Sequence, residues 1–376
     1  MEVLSPLVDA HCHPVVAGDL DVEAFARWAT EADRPAPPGV SYLDSQVGYA
    51  IRRWCPPVLG LPAHAPIEEY LARRAGLGWR AATSALLRSA GLASLLVDTG
   101  LGAGSDGTGL VGLDELGTLA GAPVREVVRL ERVAETLAGT GGVDAAGFAE
   151  AYRAALADRV TGASAGKSIV AYRYGLGIPP GRPSAAEVRR AANRWFMTGG
   201  GRLTDPVLLR FVLWAGVDTG LPLQVHTGFG DRDLPLRAAD PALLQPFLAA
   251  VEPAGVPVVL LHCYPYQREA GWLALVYPHV YVDVGLTMAH LGAGAGPALA
   301  GYFDLAPYGK LLFSSDGYGL PELYRVAAAQ FRTALAGLVD GWLAADALSI
   351  VDAERIVDRV AASNARRVYR TGIAPT

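Results

Sequence analysis

Apolar and polar positions along this chain follow two alternating periods. Short runs rich in Val, Ile, Leu and Ala recur at Pro6–Ala10, Ala93–Asp98, Val124–Leu130, Lys167–Tyr172, Pro222–Val225, Pro257–Leu261, Val280–Val284 and Lys310–Phe313. Each is short enough for a strand buried on both faces, and most begin after Gly or Pro. Between them lie Ala-, Leu- and Arg-rich stretches with helical spacing, such as Ala145–Asp158, Pro241–Ala250 and Leu320–Leu338. A last helix is predicted over Ala353–Tyr369. Strands that alternate with helices specify a parallel sheet, and eight such units specify an α/β fold closed as a (β/α)8 TIM barrel. No glycine-rich phosphate fingerprint follows the first run, which counts against a dinucleotide fold.

The spacing of the runs is uneven. The interval from His13 to Thr99 far exceeds one helix, so a helical insertion of about residues 30–90 follows the first strand. Its core, Asp33–Arg88, is rich in Pro and aromatic residues. A second elaboration lies between Arg173 and His226. Loops after barrel strands cover the active-site face, so both are expected to act as lids or substrate walls. The Gly-rich segment Gly100–Gly112 reads as a loop, and no repeat or low-complexity linker interrupts the chain. Residues 1–376 are therefore expected to form a single barrel domain.

Composition narrows the function classes. A formal net charge of -5, with basic residues scattered, argues against nucleic acid, and no apolar run is long enough to suggest a membrane span. Cys12, Cys55 and Cys263 are too few and too scattered for a disulfide framework; with no leader-like opening, they point to a cytoplasmic protein.

The candidate chemistry sits at the strand ends. His11 and His13 flank Cys12, so on a strand their rings share one side while Cys12 faces the other. His226 ends the fifth run, His262 the sixth, and Asp316 follows the eighth. A barrel brings all of these ends to one mouth, where imidazoles and a carboxylate form a transition-metal donor set. Any one of these histidines alone would read as a hydrogen-bonded structural residue, but the chain has only seven and four fall at such places. His64, His279 and His290 read as turn or loop residues, with a substrate contact open for His64 and His290.

The order HxH, His, His, Asp on eight β/α units resembles the amidohydrolase superfamily. Gln224-Val225-His226-Thr227-Gly228-Phe229-Gly230-Asp231, Leu261-His262-Cys263-Tyr264-Pro265-Tyr266, Ser314-Ser315-Asp316-Gly317-Tyr318-Gly319-Leu320-Pro321-Glu322 and the closing Asn364-Ala365-Arg366-Arg367-Val368-Tyr369 are similar to its amidohydrolase-related (amidohydrolase 2) branch. That branch forms the N-terminal half of FluG-type nodulin/glutamine-synthetase fusions. The resemblance implies that His11, His13, His226 and Asp316 hold one divalent ion, most simply Zn2+, and that Asp316 is also the general base. It makes His262 the group that orients the nucleophile or stabilises an oxyanion, and it makes Lys167 a candidate bridge between two metals. The implied activity is hydrolysis of the amide C–N bond of a small, carboxylated substrate. Nonoxidative decarboxylation is the alternative, and a sugar-acid isomerase or a non-catalytic ligand-binding barrel is more remote.

Beyond the family motifs, Arg173 could clamp a substrate carboxylate as a bidentate pair, and Gln224, Tyr266 and Tyr318 are further candidate substrate contacts. Arg173 is equally able to close a salt bridge within the barrel wall. Gln224 shares the parity of His226 one layer lower. Lys167, at the start of the fourth run, could also lie at the bottom rim in water. Asp231-Arg232-Asp233 reads as a solvated turn and Glu269 as charge at a helix start. The expected partner is a small molecule; the aromatic insertion also suggests a homodimer.

Overall fold

The computed structural model describes residues 6–102 and 108–370, so part of the Gly100–Gly112 loop, residues 103–107, lies outside the described residues. Eight parallel strands are hydrogen-bonded in chain order. They are β1 (Leu7–Cys12), β2 (Leu92–Asp98), β3 (Val124–Arg129), β4 (Ala165–Ser168), β5 (Leu223–His226), β6 (Val258–Leu261), β7 (Val280–Asp283) and β8 (Leu311–Leu312). The two ends of the sheet meet through Ala10 N–H to Phe313 O at 3.1 Å and Asp316 N–H to His11 O at 3.0 Å. Helices flank the strands, which gives the (β/α)8 barrel that the alternating periods specify.

The inner layer explains why the strands read as continuous apolar runs. Val8, Ala10, Leu96, Val127, Ala165, Val259, Leu261 and Leu312 come from six strands and meet in one buried cluster, which only the barrel interior can bring about. Ala362, Ala365, Val368 and Tyr369 join the same cluster, so the closing helical segment plugs the bottom of the barrel. That segment is not one regular helix: Ile350–Asp358 passes through a π-helical turn, Arg359–Ser363, into Asn364–Tyr369. The β1–β2 register slips between Asp9 and Cys12. This slip lets Val8 and Ala10 pack inward low in the barrel while His11 and His13 still face the mouth.

Two predicted boundaries shift in ways that matter. The fourth strand ends at Ser168, and Val170–Arg173 turns into a short helix. Lys167 therefore lies near the C-terminal end of its strand and not at the bottom rim, while Arg173 stands on the short helix after it. Between β1 and β2 the chain forms helices Val22–Trp28, Gln46–Trp54, Ile67–Leu77 and Trp79–Ser89. Glu322, on the helix Pro321–Ala344, anchors this insertion: it accepts from Tyr70 Oη at 2.7 Å and Arg74 Nε at 3.0 Å. No helix among the described residues is long and apolar enough to cross a membrane, and all three cysteines are buried and free.

Candidate metal centre

His11 and His13 are fixed in complementary tautomers by groups beneath and beside them. Gln224 sits in the layer below, fully buried. Its amide nitrogen donates to the carbonyl of Ala10 at 2.7 Å and lies 2.8 Å from the Tyr369 hydroxyl. A carbonyl can only accept, so the Gln224 oxygen must face His11, and it takes the His11 Nδ1 proton at 2.8 Å. His13 Nδ1 donates to the Asp98 carbonyl at 3.2 Å in the same way. Both rings are left with an unprotonated Nε2 directed at the barrel mouth, and that of His11 accepts from the Lys167 ammonium at 3.0 Å.

These nitrogens converge on Asp316. Its Oδ1 lies 3.3 Å from His11 Nε2 and 3.4 Å from His13 Nε2, and receives no hydrogen bond. Its Oδ2 lies 3.4 Å from His262 Nε2. Burial, more than any other cause, lowers the basicity of two imidazoles, to about 4 for His11 and about 3 for His262. Two unprotonated nitrogens, from His11 and His13, thus face one carboxylate oxygen, with the Lys167 ammonium 3.0 Å from His11 Nε2, a donor set of the kind that holds a cation. Ligands of a tetrahedral Zn2+ at about 2.0–2.1 Å would themselves stand about 3.3–3.4 Å apart, which is the distance from Asp316 to each of His11, His13 and His262. The residues present therefore fit a divalent metal.

Backbone geometry shows how the chain delivers these groups. Asp316 and His262 both adopt left-handed conformations, at φ 46 and φ 67, outside β-strand geometry. Buried carboxylates hold those bends. Asp9 accepts from Ser315 N–H at 2.8 Å and Ser315 Oγ at 2.5 Å, while Asp283 accepts from the His262 N–H and Ser314 Oγ, each at 2.8 Å. Burial raises both carboxyls to about 7. Gly285 is required by close approach: a Cβ there would run into Ser314 Oγ and lie 3.1 Å from His262 Nδ1.

The donor set differs in detail from the one implied by resemblance. His226 comes into the same cavity, with its ring 4.7 Å from His262 and 4.6 Å from Tyr172. Its nitrogens, however, fall outside the compact groups found among the described residues, which are His11, His262 and Asp316, and His11, His13 and Asp98. Asp98 was missed in the sequence; its signal was an acid at the C-terminal end of the second apolar run. Lys167 is buried at the centre, where its ammonium lies 3.0 Å from His11 Nε2 and 3.1 Å from Asp98 Oδ2. Arg129 also grips Asp98, at 2.7 Å. Burial alone would raise the Asp98 carboxyl, but Arg129 and Lys167 hold it well below its ordinary range.

A cavity of about 430 Å3 opens above this group. Arg173 lines it, with one terminal nitrogen 3.0 Å from Glu135 and its Nε buried without a partner. Tyr318 lines it too, near-parallel to the His290 ring at 6.4 Å. Two expectations are corrected. Gln224 supports His11 from below and does not line the cavity. Tyr266 points elsewhere, its hydroxyl donating to the Leu236 carbonyl at 3.1 Å. Asp231-Arg232-Asp233 forms the expected turn, with Arg232 and Asp233 exposed, and it also borders the cavity, where Asp233 pairs with Arg202 at 2.8 Å. The insertion contributes Trp28, Glu31 and Asp33 to the cavity wall, and none of them carried a sequence signal.

The model of the Amidohydrolase family matches residues 120–371. The protein fluG of Emericella nidulans is 33% identical over 224 residues, covering 56% of this chain and 26% of that protein. The chain thus spans about a quarter of the length of this curated relative. The structure of a presumed metal-dependent hydrolase from Lactobacillus casei superposes with a TM-score of 0.85 at 29% identity, covering 98% of this chain and 96% of the other. A glucuronate isomerase from Caulobacter crescentus shares the fold, with a TM-score of 0.65 at 15% identity over 100% and 93% of the two chains.

Proposed function

This chain belongs to the amidohydrolase family, and from that premise we propose that it is a metal-dependent hydrolase that cleaves the amide C–N bond of a small, carboxylated substrate. The observation that carries the reading is Asp316, whose two oxygens have different neighbours. Oδ1 faces the unprotonated nitrogens of His11 and His13. Oδ2 faces His262. One carboxylate can thereby hold a metal through one oxygen and move a proton through the other.

His11, His13 and Asp316 would hold a single divalent ion, most simply Zn2+, with His226 beside them. When bound there, the ion supplies Lewis-acid activation of water and of a carbonyl oxygen. Asp316 Oδ2 accepts the proton of the attacking water and delivers it to the departing amine nitrogen. His262 holds that oxygen in place and presents its Nε2 to charge developing at the carbonyl. Arg173 receives the substrate carboxylate through its unpartnered Nε. Lys167 lies 3.1 Å from Asp98, and that pairing favours one ion over two. The free cysteines favour a reducing, cytoplasmic setting.

The test is turnover by zinc-loaded protein against parallel panels of carboxylated amides and simple carboxylic acids. Release of amine or ammonia is expected. Release of CO2 without amine would replace this reading with nonoxidative decarboxylation.

A further inference from the structure

The proposed reading gives the substrate a carboxylate and an amide and leaves the rest of it undescribed. The charged groups of the cavity wall do not describe it further, because they carry both signs: Arg27, Arg173 and Arg202 stand there with Glu31, Asp231 and Asp233. The uncharged part of the wall is more selective. Trp28, Tyr172 and Tyr318 line it, and each ring-bearing side chain is only partly buried. Tyr172 lies on the short helix after β4, and Tyr318 follows β8. In a closed ring of eight strands in chain order, β4 and β8 stand opposite each other. Trp28 ends the first helix after β1 and joins the β8 side, its ring 6.4 Å from that of Tyr318. The mouth thus has aromatic side chains on two facing sides.

These rings are closely seated. Gly319, at φ 63, lies so near Trp28 that a Cβ there would overlap the indole. A Cβ at Gly230 would overlap the Tyr172 hydroxyl. The Tyr172 ring also lies 4.6 Å from His226, and that of Tyr318 is near-parallel to His290 at 6.4 Å. Core packing is the ordinary use of such rings, but a core ring is covered on both faces. These three border a cavity of about 430 Å3 above the metal-type cluster. Aromatic side chains fixed in a cavity wall, with a few charged groups among them, suit a ligand that has a flat apolar part.

We propose that the substrate carries an aromatic ring, received between Tyr172 on one side and Trp28 with Tyr318 on the other, while its carboxylate meets Arg173, the residue next to Tyr172. The substrate class is then a carboxylated amide bearing an aryl group. This inference rests on the hydrolase reading for the amide, but its test involves no turnover. Three simple acids share one carboxylate: 3-phenylpropionate has a flat ring, 3-cyclohexylpropionate a puckered ring of similar apolar size, and propionate no ring.

Isothermal titration calorimetry of zinc-loaded protein should show 3-phenylpropionate binding at least about tenfold more tightly than propionate, the effect of burying one ring. It should bind about 2–10-fold more tightly than 3-cyclohexylpropionate, the effect of ring against ring. The double variant Trp28→Leu, Tyr172→Leu keeps apolar side chains and should bring the two ring-bearing acids to equal affinity. Trp28→Phe and Tyr172→Phe keep the rings and should keep the preference. Equal or tighter binding of propionate or 3-cyclohexylpropionate by the unaltered protein would overturn the proposal. So would a phenyl preference that survives the double variant, or failure of all three acids to bind at millimolar concentrations. A phenyl preference in a protein that releases CO2 would leave this inference standing while the hydrolase reading falls; amine release without that preference would do the reverse.

Discussion

Replacing Gln224 with leucine tests whether the layer beneath the mouth sets up the metal centre. Leucine fills nearly the same volume, so the change removes hydrogen bonds without opening a large cavity. Three buried groups lose a partner: His11 Nδ1, the Ala10 carbonyl and the Tyr369 hydroxyl. A buried polar group left unsatisfied costs about 1–3 kcal/mol, and the three share one network, so a loss of about 3–5 kcal/mol is expected. That is a large share of a typical domain's stability of about 5–15 kcal/mol. The tautomer of His11 is also freed, and loss of such a ligand-orienting bond weakens metal affinity by about 10–100-fold. Urea unfolding of metal-free protein measures the first effect, and zinc competition against a chromophoric chelator measures the second. Tyr369→Phe, which removes one partner and leaves Gln224 on His11, should lose about 1 kcal/mol and leave zinc affinity within a few-fold. A folded Gln224→Leu variant with unaltered zinc affinity would refute the claim that Gln224 prepares His11.

Three further outcomes follow from the same geometry. Lys167→Ala should leave the metal content at one equivalent by elemental analysis, because its ammonium pairs with Asp98; a fall from two equivalents to one would show that Lys167 bridges. Asp316→Asn should fold and lower the rate of amine release by about 10²–10⁴-fold, the range for loss of a positioned acid–base group; full activity would remove Asp316 as the base. The third concerns pH in the metal-free protein. Asp9 and Asp283 have folded values raised to about 7 from 3.8, so the native state binds their protons more tightly, and their contribution to stability is lost as pH rises from about 4 through 7. His11 and His262 have lowered values, so their contribution is present above about 6.5 and is lost as pH falls toward 4 and 3. Urea unfolding across pH 4–9 should therefore show Asp9→Asn gaining on the unaltered protein as pH rises; a difference independent of pH would contradict the assignment.

The barrel was legible because burial on both faces turns each strand into an apolar run, and because the catalytic groups interrupt those runs at their ends. Asp98 belongs to this logic and could have been found by it. Lys167 was misplaced for a specific reason: Ile169 to Tyr172 is β-branched and aromatic enough to read as strand, yet the chain turns helical there to cover the mouth. The β1 register slip was equally hidden, since strict alternation gives His11 and His13 the same side with or without it. Glu31, Arg202 and Asp231 carried no signal, because their meaning depends on loops from different units meeting above the barrel. Gln224 had the correct parity, but only the structure shows that it faces His11 from below.

The central claim is that His11, His13 and Asp316 form a metal centre. Anomalous diffraction at the zinc edge from zinc-loaded crystals tests it most directly. The account predicts one peak bounded by His11 Nε2, His13 Nε2 and Asp316 Oδ1. A peak held by Asp98 and Lys167 instead, or protein that takes up no zinc at this place, would contradict it.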